Sequence, residues 1–542
     1  MGRDLGDFQT PPALVAAILA RLTRGGACWS RVLEPTCGRG NFVVGLLALD
    51  QAPREILGIE VQPSHLAEAR AIVANAPGSV RVSLTAGNLF DCDLATLPWK
   101  EKGGSLLVVG NPPWVTNAEF GVLESTTRPP RSNLKNARGI DAITGGSNFD
   151  AAEAVWIKVL TELVDQGPTI ALLCKTAVAR SVLEHARKLR LSVTQAEIFR
   201  IDAKAWFGAA VDACLLVLRL AGSAESSPAA IERIPVFADL ITTEPESMMG
   251  FVRDRIVSDL KAYGRFGWAD GDCPLVWRQG VKHDAATVME LSPGPHGGWI
   301  NKQGDAVEIE PDFVYPLLKG TDLSHALTFD PERAVIVTQH RIGEDTRGLA
   351  TVAPKLWNYL QEHSKTFTRR KSSVYRDRPP FAMFGIGPYS FAPYKVGVSG
   401  LHRTPLFQAV GPVHGRPVML DDTCYFLPCE SAEQAALIAT LLNGPDAIGL
   451  LASLAHPGAK RRVTKGLLQR LDLATLFARA NHDALFDHAT SIVVRLSRRP
   501  PSWPRPVEAL LGIVANPSVD KALSKETPES WPSPPLITSA VL

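Results

Sequence analysis

Short apolar runs alternate with amphipathic stretches along the first part of the chain. The runs that read as strands are residues 31–33, 56–60, 80–84, 105–110 and 211–218, and a helix is predicted from about residue 41 to residue 49. Strand and helix patterns in alternation predict a mainly parallel sheet with helices on both faces. The last run is almost entirely apolar, as expected of a strand that is buried on both sides.

A polar tetrapeptide, Asn111-Pro112-Pro113-Trp114, follows the fourth apolar run. The Asn111 side chain offers a carbonyl oxygen, and the residue before a proline is biased towards extended geometry. Pro112 has no N–H, so its own carbonyl can face a ligand. With Trp114 as a stacking surface, these groups would fit the exocyclic amine of a purine or pyrimidine. Taken alone, they would also fit a proline-stiffened turn beside a core aromatic.

Residues 34–42, Glu-Pro-Thr-Cys-Gly-Arg-Gly-Asn-Phe, form a glycine-containing loop between the first strand and the helix. Gly38 and Gly40 let the backbone pass close to a ligand. Glu60 ends the second strand at about the 20-residue separation expected of a carboxylate that binds ribose hydroxyls. Val43 stands where a dinucleotide-binding fingerprint has its third glycine, so that glycine is missing. A nucleoside without phosphates, such as S-adenosylmethionine, therefore fits better than NAD or FAD.

The third strand is followed by Asn88-Leu89-Phe90-Asp91. A polar side chain at this point can accept a hydrogen bond from an adenine amine, while an apolar neighbour covers the ring. The alternative role for Asn88 and Asp91 is a turn that caps a helix.

In this order, the motifs resemble the gamma-class, S-adenosylmethionine-dependent DNA amino-methyltransferases of restriction–modification systems. Residues 7–12 resemble the cofactor-closing segment of that family, residues 33–42 its cofactor loop, Glu60 its ribose acid and residues 88–90 its adenine-contact segment. The tetrapeptide resembles the catalytic motif, residues 147–150 the next motif, and residues 204–208 the segment that packs an aromatic on the target base. The resemblance covers most of residues 1–220.

The resemblance implies a site for S-adenosyl-L-methionine and a flipped-out adenine in double-stranded DNA. The implied cofactor-binding residues are Thr10, Glu34, Thr36, Cys37, Gly38, Gly40, Glu60, Asn88 and Leu89. The implied catalytic residues are Asn111, Pro112, Pro113 and Trp114, and Trp114 and Phe207 would contact the target base. Two positions depart from the commoner family pattern, because Asn88 replaces an acid and Trp114 replaces Tyr.

The expected fold is α/β, with a class I (Rossmann-like) methyltransferase sheet over residues 1–222. Residues 221–228 are small and polar and read as a linker. A mixed α+β target-recognition domain is expected over residues 230–480. Residues 481–542 are expected to form a C-terminal helical segment and a proline-rich tail.

Composition favours a cytoplasmic enzyme with a local nucleic-acid surface. The net charge is only +2, and the eight cysteines show no C-x-x-C pair and no zinc-like spacing, so no metal is expected. The first residues lack the apolar core of a signal peptide, and no apolar run is long enough to span a membrane.

A basic tract with interleaved aromatics lies in the second half of the chain. Between Lys355 and Arg403 nine basic residues face only two acids, which predicts a DNA-binding surface on the recognition domain, the alternative being a solvated face over an aromatic core. The predicted DNA contacts are Arg369, Arg370, Lys371, Arg376 and Arg378. Residues 456–462 are a second basic candidate. The polar segment 115–146 reads either as a substrate-ordering loop carrying Arg128, Arg131, Lys135 and Arg138 or as a flexible insertion.

Several functions remain open at this level. Adenine-N6 methylation is favoured because Asn begins the tetrapeptide, whereas cytosine-N4 enzymes more often begin with Ser. A protein-glutamine methyltransferase or a non-catalytic DNA-binding module fits less well. Pro311-Asp312 begins a nuclease-like pattern that is not continued, so any cognate restriction endonuclease is expected to be encoded separately.

Overall fold

The computed structural model describes residues 9–74, 79–114, 150–222, 231–295, 297–324, 331–456 and 461–512. The chain divides into two compact units. The first unit runs to Gly267 and also includes Thr368–Arg378 and Gly449–Val463. The second unit comprises Trp268–Phe367, Pro379–Ile448 and the described residues from Thr464 onward.

The first unit is built on a sheet that has ten strands within the described residues. Their bounds are β1 (Arg31–Glu34), β2 (Glu55–Glu60), β3 (Arg81–Ala86), β4 (Leu106–Gly110), β5 (Thr169–Lys175), β6 (Val193–Ile201), β7 (Ala213–Leu220), β8 (Arg233–Phe237), β9 (Ser247–Val252) and β10 (Arg255–Val257). Strands β1, β2, β4 and β5 are almost wholly buried, which explains their continuous apolar sequences.

The strand order confirms the predicted class I methyltransferase sheet. The order is β10-β9-β8-β6-β7-β5-β4-β1-β2-β3. Strands β1 to β5 are parallel to their neighbours within that group, and β7 is inserted antiparallel between β5 and β6. The order reverses between β1 and β4, and ligands of open α/β sheets bind at the carboxyl ends of strands at such a reversal.

Helices cross between these strands. Their bounds are α1 (Pro12–Leu22), α2 (Asn41–Leu47), α3 (Pro63–Val73), α4 (Ala151–Leu163), α5 (Thr176–Lys188) and α6 (Ala203–Phe207). The chain moves one way through β1, β2 and β3 and the opposite way through β4 and β5. Because such crossovers are right-handed, the two sets of helices cover opposite faces of the sheet.

The sheet extends beyond the last strand that the sequence predicted. Strand β8 pairs parallel with β6, and β9 and β10 follow as antiparallel neighbours. These strands are short, and Pro235 interrupts the apolar pattern of β8, so their sequences give a weak strand signal. The apolar core of the unit continues into them through Ile234, Met249 and Ile256.

The second unit is mixed α+β, as predicted. Within its described residues, two sheets have the orders β11-β20-β17-β18 and β14-β13-β12-β16-β15-β19. The strands are β11 (Arg278–Gln279), β12 (Glu290–Pro293), β13 (Trp299–Asn301), β14 (Ala306–Val307), β15 (Val314–Leu318), β16 (Ala334–Ile336), β17 (Tyr394–Ser399), β18 (Gln408–Val410), β19 (Met419–Leu420) and β20 (Cys424–Cys429).

The later helices are mostly short. Their bounds are α7 (Leu260–Phe266), α8 (Ala286–Met289), α9 (Gly320–Leu323), α10 (Leu349–Val352), α11 (Pro354–Glu362), α12 (Ser364–Thr368), α13 (Ala432–Leu442), α14 (Pro445–Leu454), α15 (Lys465–Leu468), α16 (Leu473–Arg479) and α17 (His482–Ser497). Helix α17 packs against α13 through Ala489 and Val493.

Among the described helices, no single one is both long and apolar enough to cross a bilayer. Helices α13 and α14 pass that test only as a pair bent by 61°, on length and composition alone.

Candidate active site

The loop after β1 turns sharply at two glycines. Gly38 has φ +52° and Gly40 has φ +85°, in the left-handed region that favours glycine. A Cβ on Gly38 would lie 2.7 Å from the Gln9 side-chain oxygen, so the Gln9 side chain would have to move for a larger residue. The Cys37 N–H donates to the carbonyl of Ile59 at 2.9 Å, which ties the loop to β2.

Glu60, at the end of β2, is held by the same loop. Its two carboxylate oxygens accept hydrogen bonds from the Gly38 N–H at 2.8 Å and the Gln62 N–H at 2.7 Å. The side chain is buried, yet it reaches the cavity described below. Each oxygen has a second lone pair, so Glu60 can still accept hydrogen bonds from a ligand's hydroxyl groups.

Glu34, at the end of β1, is a buried carboxyl with an incomplete hydrogen-bond shell. Burial raises the pKa of Glu34 well above its usual range, and the negative charge of Glu60 raises it further, while the Val43 N–H opposes the shift. Among the described residues neither Glu34 Oε2 nor Thr36 Oγ1 has a hydrogen-bond partner. Two neighbouring buried carboxyls with unused acceptor capacity suit a cationic ligand.

One cavity of about 280 Å³ joins these groups. It lies at the carboxyl ends of β1, β2 and β4, where the strand order reverses. Of the sequence-predicted residues, its walls include Thr10, Glu34, Thr36, Cys37, Gly38, Glu60, Asn88, Leu89, Asn111 and Pro113. Gly40 instead packs towards α3, where its Cβ would lie 3.1 Å from the Cβ of Ala69.

Asn88 takes the capping role and also reaches the cavity. Its side-chain oxygen accepts from the Phe90 N–H at 3.1 Å and caps the short 3-10 helix Leu89–Asp91. Asn88 and Leu89 also line the cavity. One lone pair of the Asn88 oxygen is therefore committed to the backbone, and the other can serve a ligand.

The tetrapeptide leaves β4 directly at the cavity. Asn111 and Pro113 line the cavity, whereas Pro112 and Trp114 are buried. The Trp114 and Phe207 rings meet edge to face, with centroids 5.3 Å apart and planes at 75°. The two predicted base-contacting aromatics thus touch each other and form one aromatic wall.

A lysine that sequence analysis did not single out fixes this region. Lys175, the last residue of β5, donates from Nζ to the Trp114 carbonyl at 3.0 Å and to Asp150 Oδ2 at 2.7 Å. Asp150 caps α4 by accepting from the Ala152 N–H at 3.0 Å. Burial raises the pKa of Asp150, and Lys175 opposes that shift. The sequence signal that could have revealed Lys175 was a charged residue at the end of an apolar strand, at the edge of the sheet where ligands bind.

The basic segment Thr368–Arg378, which we assigned to the recognition domain, belongs to the first unit by its contacts. This corrects the predicted location, which local sequence could not reveal. Arg369, Lys371, Arg376 and Arg378 are exposed, while Arg370 is half-buried with its guanidinium 3.7 Å from the centroid of the Tyr375 ring. Outside this segment, Tyr359, Phe367 and Phe381 are core residues of the second unit.

The second basic candidate is also part of the first unit. His456 Nε2 lies 3.2 Å from Asp212 Oδ2. Burial lowers the pKa of His456 to about 4, against the opposing effect of Asp212. The half-buried Arg461 and Arg462 follow residues 457–460, which lie outside the described residues.

Other predicted features also fall outside the described residues. They are residues 7 and 8 of the cofactor-closing segment, residues 147–149 of the motif before α4, the polar segment 115–146 with its four basic residues, most of the linker, and the proline-rich tail.

Comparison with known proteins places this chain in a family. The type II methyltransferase M.NspV of Nostoc sp. (strain ATCC 29411 / PCC 7524) is 33% identical over 479 residues, which cover 87% of this chain and 97% of that protein. The chain belongs to the restriction–modification DNA methyltransferases. This methyltransferase is also 27% identical over 144 residues to a type II methyltransferase of Thermus thermophilus, covering 26% of this chain and 27% of that protein.

Among solved structures, this methyltransferase is similar to the type IIL restriction-modification enzyme MmeI in complex with DNA, with a TM-score of 0.48 and 13% identity over 96% of this chain and 73% of that chain. No family model matches the methyltransferase.

Proposed function

We propose that this methyltransferase transfers a methyl group from S-adenosyl-L-methionine to the N6 amine of an adenine in double-stranded DNA. The observation that supports this most is the cavity at the strand-order reversal. It joins the carboxyls of β1 and β2 to Asn111 at the end of β4. A cofactor bound at the carboxyls and a target base bound at Asn111 would therefore share one cavity.

The residues of the cavity fit this cofactor. S-adenosylmethionine carries a positively charged sulfonium and an ammonium group, and the cavity holds the buried carboxyls Glu34 and Glu60. The unpartnered acceptor of Glu34 would hold a positive group, and the open lone pairs of Glu60 would hold ribose hydroxyls. A pyrophosphate cofactor would place negative charge beside the same carboxyls, which disfavours NAD and FAD.

The tetrapeptide supplies the groups that orient the target amine. The base must leave the duplex to reach the cavity. The side-chain oxygen of Asn111 and the carbonyl of Pro112 then accept hydrogen bonds from the amine and hold its lone pair towards the cavity. The wall of Trp114 and Phe207 packs against the base, a contact worth ~1–3 kcal/mol.

The cofactor, when bound, supplies an electrophilic methyl group. The side chains position the amine and exclude water, and no side-chain nucleophile is required. The amine proton leaves to water after transfer.

We infer that the duplex is held by phosphate contacts from Arg369, Arg370, Lys371, Arg376 and Arg378. Four of these side chains are exposed, and only Asp377 offsets their charge within the segment. Contacts of this kind fix the position of the duplex without reading its sequence. Base reading is assigned to the second unit. We propose that the enzyme acts in the cytoplasm. It would be the modification component of a system whose restriction endonuclease is encoded separately.

The chemistry is tested with purified protein, labelled S-adenosylmethionine and unmethylated plasmid DNA. After digestion to nucleosides, the label should reside in N6-methyldeoxyadenosine. Label in N4-methyldeoxycytidine would replace the adenine assignment by the cytosine alternative. A folded protein that binds the cofactor but labels only protein would contradict a DNA substrate.

The fully buried carboxyl of Glu34 gives a prediction for both cofactor affinity and stability. Replacement by Gln should weaken S-adenosylmethionine binding by ~1.5–3 kcal/mol, because a positive ligand group would favour the ionised Glu34 carboxylate, and Gln cannot carry that charge. The pKa of Glu34 in the folded protein is raised above its ordinary value of 4.5. The protonated carboxyl therefore stabilises the fold at low pH, and this contribution to the free energy of unfolding is lost as the pH rises through the raised pKa. Glu34→Gln should therefore unfold at a higher temperature than the parent at neutral pH without ligand.

Calorimetric titration and thermal unfolding from pH 5 to pH 8 measure these effects. Glu68→Gln is the matched control, because Glu68 is half exposed and pairs with Arg39 of the same loop at 3.3 Å. Unchanged cofactor affinity in Glu34→Gln would remove Glu34 from the cofactor site.

A further inference from the structure

Lys175 connects two walls of the active site. Its Nζ donates to the backbone carbonyl of Trp114 and to the carboxylate of Asp150, at 3.0 Å and 2.7 Å. We propose that Lys175 is a positioning residue for methyl transfer, which holds the tetrapeptide in register with the first turn of α4. This inference rests on the proposed function of the tetrapeptide as the acceptor of the target amine.

The contacts on each side explain why the lysine can fix this geometry. Asp150 is buried, and its second oxygen is bonded to the Ala152 N–H at the start of α4. The next residue of that turn, Ala151, lines the cavity together with Val155. Asp150 therefore moves with α4, and Lys175 ties the carbonyl of Trp114 to that helix.

The other end of the bridge is the last residue of the tetrapeptide. The Trp114 side chain is buried against the Phe207 ring, and its carbonyl is held by the ammonium of Lys175. These two contacts set the backbone orientation after Pro113. The carbonyl of Pro112 and the side chain of Asn111 lie two and three residues earlier, so their direction depends on the same short segment.

The positive charge of Lys175 is balanced by Asp150, so the lysine can orient its partners without adding net charge to the site. A shielded ammonium paired with one buried carboxylate is close to neutral as a pair. The amine of the target base therefore does not face an uncompensated positive charge, which would lower its nucleophilicity. A neutral side chain at position 175 would leave the Asp150 carboxylate without this charge partner and the Trp114 carbonyl without this donor.

Misplacement of reacting groups by about 1 Å can cost about 10²-fold in rate. Lys175→Met should therefore lower the single-turnover rate of methyl transfer by about 10- to 100-fold. The dissociation constant for S-adenosylmethionine should change by less than about twofold, because Lys175 Nζ bonds to Trp114 and Asp150, which lie outside the carboxyl pair assigned to the cofactor. Lys175→Arg keeps a charged donor and should recover part of the rate.

The matched control is Lys158→Met. Lys158 is similarly shielded and pairs with Glu162 at 2.6 Å on the same helix α4, two turns away from the Asp150 cap. This variant should fold with a comparable loss of one ion pair and keep the parent's single-turnover rate.

The measurements are single-turnover methyl incorporation into unmethylated DNA, cofactor affinity by calorimetry and thermal unfolding for all variants. If the parent methylates DNA and folded Lys175→Met does so at the parent's rate, the positioning role is wrong while the proposed function stands. Equal rate losses in Lys175→Met and Lys158→Met, or no rescue by Arg, would also overturn it. If Lys175→Met does not fold, Lys175→Arg against Lys158→Arg repeats the test. A parent that methylates no DNA would instead refute the proposed function.

Discussion

Asn111→Ala is expected to reduce methyl transfer to DNA by about 10²- to 10³-fold or more, the range found when one preorganised polar group of an active site is removed. Asn111 lines the same cavity as the carboxyls of β1 and β2, at the end of β4. Its oxygen is one of two acceptors assigned to the target amine. Without it, the Pro112 carbonyl alone cannot fix the direction of the lone pair.

Cofactor affinity separates this role from a general loss of structure. The Asn111 side chain is assigned to the base, so Asn111→Ala should bind S-adenosylmethionine nearly as the parent does. Asn111→Asp, which keeps an oxygen acceptor at the same position, should lose less activity than the alanine variant. Labelled methyl incorporation and calorimetry measure both quantities. Near-normal incorporation by Asn111→Ala would contradict the assignment.

The second large effect concerns DNA binding. Replacement of Arg369, Arg370 and Lys371 together by Ala should weaken DNA binding with little change in cofactor affinity. Each lost phosphate contact lowers the magnitude of the slope of log K against log salt by ~0.9. Loss of all three contacts should therefore flatten that slope by nearly three. A base-reading role would instead change sequence preference at a similar salt dependence.

A charge-matched control is available elsewhere on the chain. Arg495, Arg498 and Arg499 are exposed at the end of α17, and their joint replacement by Ala removes the same charge. That variant should keep the parent's affinity and salt slope. Titrations at several salt concentrations compare the two triple variants. If the Arg369–Lys371 variant folds and matches the parent in both quantities, the segment is an ordinary solvated face.

Sequence patterns located the central strands and the polar residues at their carboxyl ends well. The predicted strand 56–60 differs from β2 by one residue, because a strand buried along its whole length leaves a continuous apolar run. The spacing of Gly38 and Glu60 indicated their proximity, and the structure joins them by a 2.8 Å hydrogen bond. Local sequence predicts the structure well at such positions, because loop geometry and strand burial restrict which residues can occur there.

Long-range arrangement was harder to predict. Strands of the second unit are only 2 to 6 residues long, too short for a reliable periodicity. The assignment of Thr368–Arg378 to the first unit depends on contacts with residues far away in sequence. Lys175 was missed for the same reason, since its partners Trp114 and Asp150 lie 61 and 25 residues away.

The central claim, adenine-N6 methylation of DNA, is tested most directly by modified-base sequencing of genomic DNA from cells that express this chain, with the Asn111→Ala variant as the background. The account predicts N6-methyladenine at nearly every copy of one short sequence with the parent and none above background with the variant. N4-methylcytosine at a recurrent sequence, or no modification by a folded protein that binds S-adenosylmethionine, would contradict the account.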